Sequence, residues 1–198
     1  MFGSVTLFSM QLHKVPMHPQ VSVETTVVSD SQEACGVAEF LMGKLEEAGL
    51  PATNIFGMRL AIEEAMANAI KHGSWDNKPV TPDTHARKII VHMSAGKISP
   101  IVVERNRDIG DESQHIHKEC DHLLRFSVKD HGQGFVRSEV PDPTDDDNLE
   151  VPSGRGLALM ESFCDEVTYL EGGTKIVLCI AFTREEADST LRMNGTAS

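Results

Sequence analysis

Residues 60–73 read LAIEEAMANAIKHG. A run so rich in Ala, Leu, Ile and Met is a strong helix former, and Gly73 is its expected stop. The run is not uniformly apolar, because Glu63, Glu64, Asn68 and Lys71 interrupt it. Residues four apart share a helix face, so Glu64, Asn68 and Lys71 make one polar stripe. The opposite stripe is Leu60, Ile62, Met66, Ala69 and Ile70. A carboxylate and an amide oxygen on one stripe suit an oxygen-liganded cation such as Mg2+, or a water held beside it. The same stripe also reads as the solvated face of an ordinary amphipathic helix.

The elements around this helix bound the fold. VSVETTVVSD, 21–30, is rich in Val and Thr and reads as a strand. Asp30 followed by Glu33 resembles a capping box, and Ala34, Val37, Ala38, Leu41, Leu45 and Ala48 recur at helical spacing before Gly49. LPATN, 50–54, is a turn into the second helix, with Thr53 or Asn54 as the expected cap. ARKIIVHMS, 86–94, and HLLRFSVKD, 122–130, read as strands. Between them IVVERN is a candidate short strand, and RDIGDESQHIHKECD is polar and turn-like. RGLALMESFC, 155–164, is a short helix, and 165–182 is a hairpin turning at Gly172 and Gly173. Two neighbouring helices and mostly antiparallel strands predict an α+β fold: a two-layer α/β sandwich, its mixed, mostly antiparallel sheet covered by helices on one face. The expected organisation is an N-terminal extension over 1–19, a domain over 20–183 and a tail over 184–198. Within the domain, 95–120 is an insert and 136–153 is a loop long enough to be a lid.

Two further stretches carry chemistry. DHGQGF, 130–135, follows a strand directly; Gly132 and Gly134 permit a sharp turn and close approach to a ligand, and Asp130 is suited to accept from an exocyclic amine. Alone it reads as an ordinary glycine turn. PSGRGLALM, 152–160, places Gly154 and Gly156 at the mouth of a helix, where free amides bind phosphate, with Arg155 as a charged donor. Alone it reads as a helix capped by Ser153. There is no Walker-type lysine loop and no complete dinucleotide-binding glycine signature.

Composition narrows the partners. The formal charge of −12 repels nucleic acid and anionic membranes at long range. One Trp and one Tyr leave little for an exposed stacking platform. The four cysteines form no CxxC pair and read as free thiols of a reducing cytoplasm. No apolar run approaches the roughly 20 residues of a membrane span, and the N-terminus lacks the basic start of a signal peptide. The expected setting is therefore cytoplasmic. His115, His117, Cys120 and His122 of HIHKECDH are candidate zinc ligands, though their spacing fits no established finger, and alternating His is commonly a polar strand face. The run Asp145, Asp146, Asp147 reads as solvated charge.

In chain order the motifs are E-x-x-x-N-A-x-x-H-G at 64–73, D-x-G-x-G-F at 130–135, G-R-G-L at 154–157 and G-G-T at 172–174. This set resembles the GHKL-type ATPases, whose ATP-binding domain is the Bergerat fold. Within that superfamily EAMANAIKHG, DPT before SGRGLALM, and GGTKIVL look most like the small anti-sigma factor serine/threonine kinases of bacteria. The resemblance covers about 20–183, apart from the insert. It implies that ATP and Mg2+ are the cofactors, with Asn68 holding the metal and Glu64 acting as catalytic base or orienting a partner's serine hydroxyl. It implies Asp130 on the adenine amine, Gly132 and Gly134 shaping that pocket, and Thr174 supporting it. Gly154, Arg155 and Gly156 would cradle phosphates, with Leu157 closing the motif, and Lys71 and His72 would flank them. It further implies an anti-sigma antagonist and a sigma factor as partners, and a homodimer. A regulator that binds ATP and sequesters a partner without phosphorylating it is the alternative reading.

Overall fold

The computed structural model describes residues 11–28, 31–47, 50, 52–72, 88–109, 112–136 and 155–183. Strand β1 spans Met17–Val28, followed by helices α1, Ser31–Glu47, and α2, Ala52–His72. Strands β2, Lys88–Ile109, and β3, Glu112–Lys129, come next. Helix α3, Arg155–Phe163, leads into β4, Glu166–Leu170, and β5, Lys175–Phe182. The sheet order is β1-β2-β3-β5-β4, and each neighbouring pair is antiparallel. The sequence expectation of an α+β sandwich holds, with every described pairing antiparallel where a mixed sheet was expected.

Strand alternation decides which face each residue serves. On one face Val91, Met93, Phe126, Val128, Leu178 and Ile180 are buried against Leu41, Leu45, Met58, Ile62 and Met66 of the helices. Helix α2 buries Ala61, Ile62, Ala65, Met66 and Ala69, whereas Leu60 and Ile70 are only half-buried. The core stripe is thus turned slightly from the one predicted: the two alanines at 61 and 65 let the helix lie close to the sheet. Thr53 and Asn54 fall inside the first turn of α2 rather than capping it, because the helix already begins at Ala52, directly after Pro51. Asp30, Gly49 and Gly73, the other expected stops and caps, lie outside the described residues.

The opposite face carries a second cluster that includes Leu12, Ile98, Ile101, Leu123, Val177 and Cys179. A single 3-10 turn, Leu12–Lys14, is fastened over it. Arg125 donates to the Leu12 carbonyl at 2.9 Å and to the Val15 carbonyl at 2.8 Å. Glu166 accepts from the Leu12 amide and pairs with His13, and Thr168 donates to it at 2.6 Å. The stretch read as an extension therefore contributes a buried leucine and the first residues of β1.

The region read as an insert is the far half of one hairpin. β2 and β3 pair in register from Ile101↔Cys120 out to Ile109↔Glu112, whereas β1 reaches only Met17↔Ile98 and β5 only His122↔Phe182. Residues 107–121, expected as turn, are mostly strand. Ile101, Val103 and Cys120 at its inner end join the back-face cluster, while the largely polar run 107–121 offers little of the apolar alternation on which sequence reading relies.

Candidate functional site

A cavity of about 560 Å³ lies between α2, the first turn of α3, the end of β3 and the β4–β5 hairpin. That volume is in the range that holds small molecules and cofactors. Its floor is a row of directly paired residues: Val128 of β3 opposes Ile176 of β5, which opposes Tyr169 of β4. On the helix side Ala65 and Ala69 are small enough to leave room beneath α2.

The glycines make the end wall. Gly134 has φ +70° and Gly173 φ +89°, values that side-chain-bearing residues rarely adopt. A Cβ on Gly134 would lie 2.0 Å from the Gly172 carbonyl oxygen, and one on Gly173 would lie 2.3 Å from that of Phe135. Only bare backbone lets the two segments touch. The Phe135 amide donates to the Gly172 carbonyl at 3.1 Å, and the Asp130 amide to that of Thr174 at 2.9 Å. This zipper sets Phe135 edge-on to Tyr169, ring centroids 5.1 Å apart, as an aromatic wall.

Asp130 is fixed by its own turn: one carboxylate oxygen accepts the Gly132 amide at 2.7 Å. Burial pushes its carboxyl above the usual range, against the opposing pull of that hydrogen bond and of His131 and His72. Among the described residues nothing else bonds to this carboxylate, so its second oxygen is available to a ligand donor. Across the cavity the Asn68 amide nitrogen donates to Glu64 Oε1 at 3.1 Å, as expected for residues one helical turn apart. With the nitrogen committed, the amide oxygen is the atom Asn68 has for a cation. Glu64 also lies against α3: a Cβ on Gly156 would fall 1.8 Å from Glu64 Oε1. No third side chain holds the carboxylate and amide oxygens away from the cavity in the contacts described, and hard oxygen donors of this kind fit Mg2+.

Of the residues singled out in the sequence, Glu64, Asn68, Lys71 and His72 of α2 line this one cavity. Asp130, Gly134, Gly156 and Leu157 line it from the other elements. Gly132 stands behind the wall as a donor to Asp130. Thr174 supports the site with its carbonyl, while its hydroxyl donates to the Glu171 carbonyl at 2.9 Å. Gly154, the side chain of Arg155 and, apart from Val136, the lid lie outside the described residues, as do Asp145–Asp147. So do the side chains of His115 and His117. Of their two candidate co-ligands, Cys120 is in the back-face cluster, and His122 stacks on Phe182 and pairs with Asp121. Among the described residues no group of three or more candidate metal ligands is found.

Sequence reading missed the apolar floor and the aromatic wall. Tyr169 is the only tyrosine in the chain, and fixing the turn at Gly172–Gly173 places it opposite Ile176, so the hairpin itself held the signal.

A family model for the histidine kinase-like ATPase domain matches residues 28–180, well over half of the chain. The chain belongs to the histidine kinase-like ATPase family. This is the GHKL superfamily that the four motifs resemble, and the match spans every element that lines the cavity. Comparison with curated proteins gives no match. A GHKL ATPase domain binds ATP and supports kinase-like or ATPase activity, which makes the cavity the nucleotide site to be tested. No described helix is long and apolar enough to cross a membrane.

Proposed function

We propose that this GHKL domain is a Mg2+-ATP-dependent serine/threonine protein kinase that phosphorylates an anti-sigma antagonist and sequesters a sigma factor in the cytoplasm. The observation that carries the reading is the convergence of Glu64 and Asn68 on α2 with Asp130 and Gly156 around one cavity of about 560 Å³. The apolar row Val128–Ile176–Tyr169 and the Phe135 ring take the purine, and Asp130 accepts from its amine. Gly156 brings bare backbone and the positive end of α3 to the phosphates. Asn68 would supply the side-chain oxygen that holds Mg2+, an ion that neutralises phosphate charge when bound, and Glu64 stands beside it as the base.

The chemistry asked of the chain is small. A partner's serine or threonine oxygen attacks the γ-phosphorus; the bond from that phosphorus to the β–γ bridging oxygen breaks, and ADP leaves. Glu64 takes the hydroxyl proton. Most of the rate comes from holding these atoms in line within a site that excludes water.

A second reading, a nucleotide-binding module that sequesters its partner without phosphorylating it, is favoured by one contact: Asn68 already engages Glu64. Radiolabelled ATP and Mg2+ incubated with candidate antagonists separates the two. The kinase reading predicts label on a partner serine or threonine and a loss of at least about 100-fold with Glu64→Ala, the scale of a general base. Nucleotide binding without transfer to any partner supports the module instead.

A further inference from the structure

We infer, resting on the nucleotide-site reading above, that Glu64 is a resident phosphate mimic: its carboxylate packs against the first turn of α3 and competes with the incoming phosphates for that space. Gly156 is the second residue of a nine-residue helix. The amides of that turn have no intrahelical acceptors and form the positive end of the helix. Glu64 is set hard against it. A Cβ added to Gly156 would meet Oε1 at 1.8 Å, the carboxyl carbon at 2.3 Å and Cγ at 2.7 Å, so the whole end of the side chain fills the space a residue other than glycine would claim. The Asn68 amide nitrogen donates to the same oxygen at 3.1 Å.

The neighbouring acid shows that α2 has an outward arrangement for carboxylates. Glu63 is exposed and accepts from Arg59 at 2.9 Å. Glu64 is instead half-buried and lines the cavity with Asn68 and Gly156. One acid serves the surface, and the next is clamped between the metal-binding amide and the phosphate-binding turn. A polyphosphate cannot reach Gly156 while the carboxylate is there. Its arrival evicts Glu64, and the same movement frees the Asn68 amide and releases the base. The resting protein therefore keeps its base hydrogen-bonded to its metal ligand and packed against its phosphate cradle, and the substrate's own phosphates unlock all three. A nucleoside without phosphate has no quarrel with Glu64 and enters the purine end unhindered.

The test is calorimetry of adenosine, ADP and ATP, at fixed Mg2+, with the full chain as wild type, Glu64→Gln and Glu64→Ala. Glutamine keeps the bulk and removes the charge. The latch predicts that both variants bind ADP and ATP about tenfold more tightly than wild type, with adenosine affinity unchanged. ADP affinity that is unchanged or weaker in both variants overturns it. Tightening by alanine alone also overturns it, since bulk rather than charge would then be the obstacle. If wild type and variants all fail to bind any of the three, the nucleotide reading itself falls, and the latch with it.

Discussion

At the scale of single residues, Asp130 is where the proposed function and stability pull apart. Its carboxyl is pushed up mainly by burial, so in the folded protein it holds its proton more tightly than in the unfolded chain. Stability therefore falls as pH rises through the ordinary aspartate range and into the raised one, and the charged form at neutral pH costs folding energy. Asp130→Asn removes that cost and keeps an oxygen for the Gly132 amide. The variant should melt slightly higher than wild type at pH 7, yet bind ATP at least about tenfold more weakly by calorimetry, the loss of one charge-assisted hydrogen bond. Gly134→Ala makes the opposite point. Its φ of +70° and the carbonyl 2.0 Å from the new Cβ leave no relaxed position for a methyl group. It should cost about 1–3 kcal/mol in chemical denaturation and open the zipper that carries Phe135.

At the scale of elements, the N-terminal turn and β4 are held by a carboxylate. Burial pushes the Glu166 carboxyl up, but hydrogen bonds from Thr168, His13 and the Leu12 amide outweigh it, and the group ends below the usual glutamate range. A depressed carboxyl stabilises the fold above its unfolded value, and that contribution is lost as pH falls through the depressed one. Amide exchange at Leu12 and His13 should therefore rise, relative to neighbouring β4 and β5 amides, as pH is lowered through the glutamate range and below; Glu166→Gln should already show the faster exchange at neutral pH. Beneath this turn Cys179 is inert, its thiol pushed up to about 12 chiefly by burial. These elements also mark what sequence can carry. The helices were legible because one face of each is core, and the β4–β5 hairpin because two glycines fix its turn. The outer β2–β3 ribbon was not, since the largely polar run 107–121 carries little apolar period. Nor was the fastening of the N-terminal turn, which joins Leu12 to Arg125 and Glu166 across more than half the chain.

At the scale of the whole molecule, a single sheet serves two purposes. One face carries the core with α1 and α2, and where that core thins beside α3 it opens into the cavity. Phe126, fully buried at the centre of the sheet, belongs to the packing and not to the site. Phe126→Ala should cost about 3–5 kcal/mol in denaturant unfolding. The cavity residues come from segments as far apart as Glu64 and Ile176, so only folding assembles the site. The sequence nonetheless announced most of its polar groups, because each needs a particular residue type: an acid and an amide one helical turn apart, an acid before a glycine turn, glycines at a helix start. The apolar floor carried no such mark, as valine, isoleucine and tyrosine on strands are what any core would show. The central claim is that this space takes a nucleotide. A crystal structure of the protein soaked with a non-hydrolysable ATP analogue and Mg2+ tests it most directly. The account predicts the purine on the Val128–Ile176–Tyr169 row beside Asp130, with the phosphates between Asn68 and Gly156. An analogue bound elsewhere, with this cavity unchanged, would contradict it.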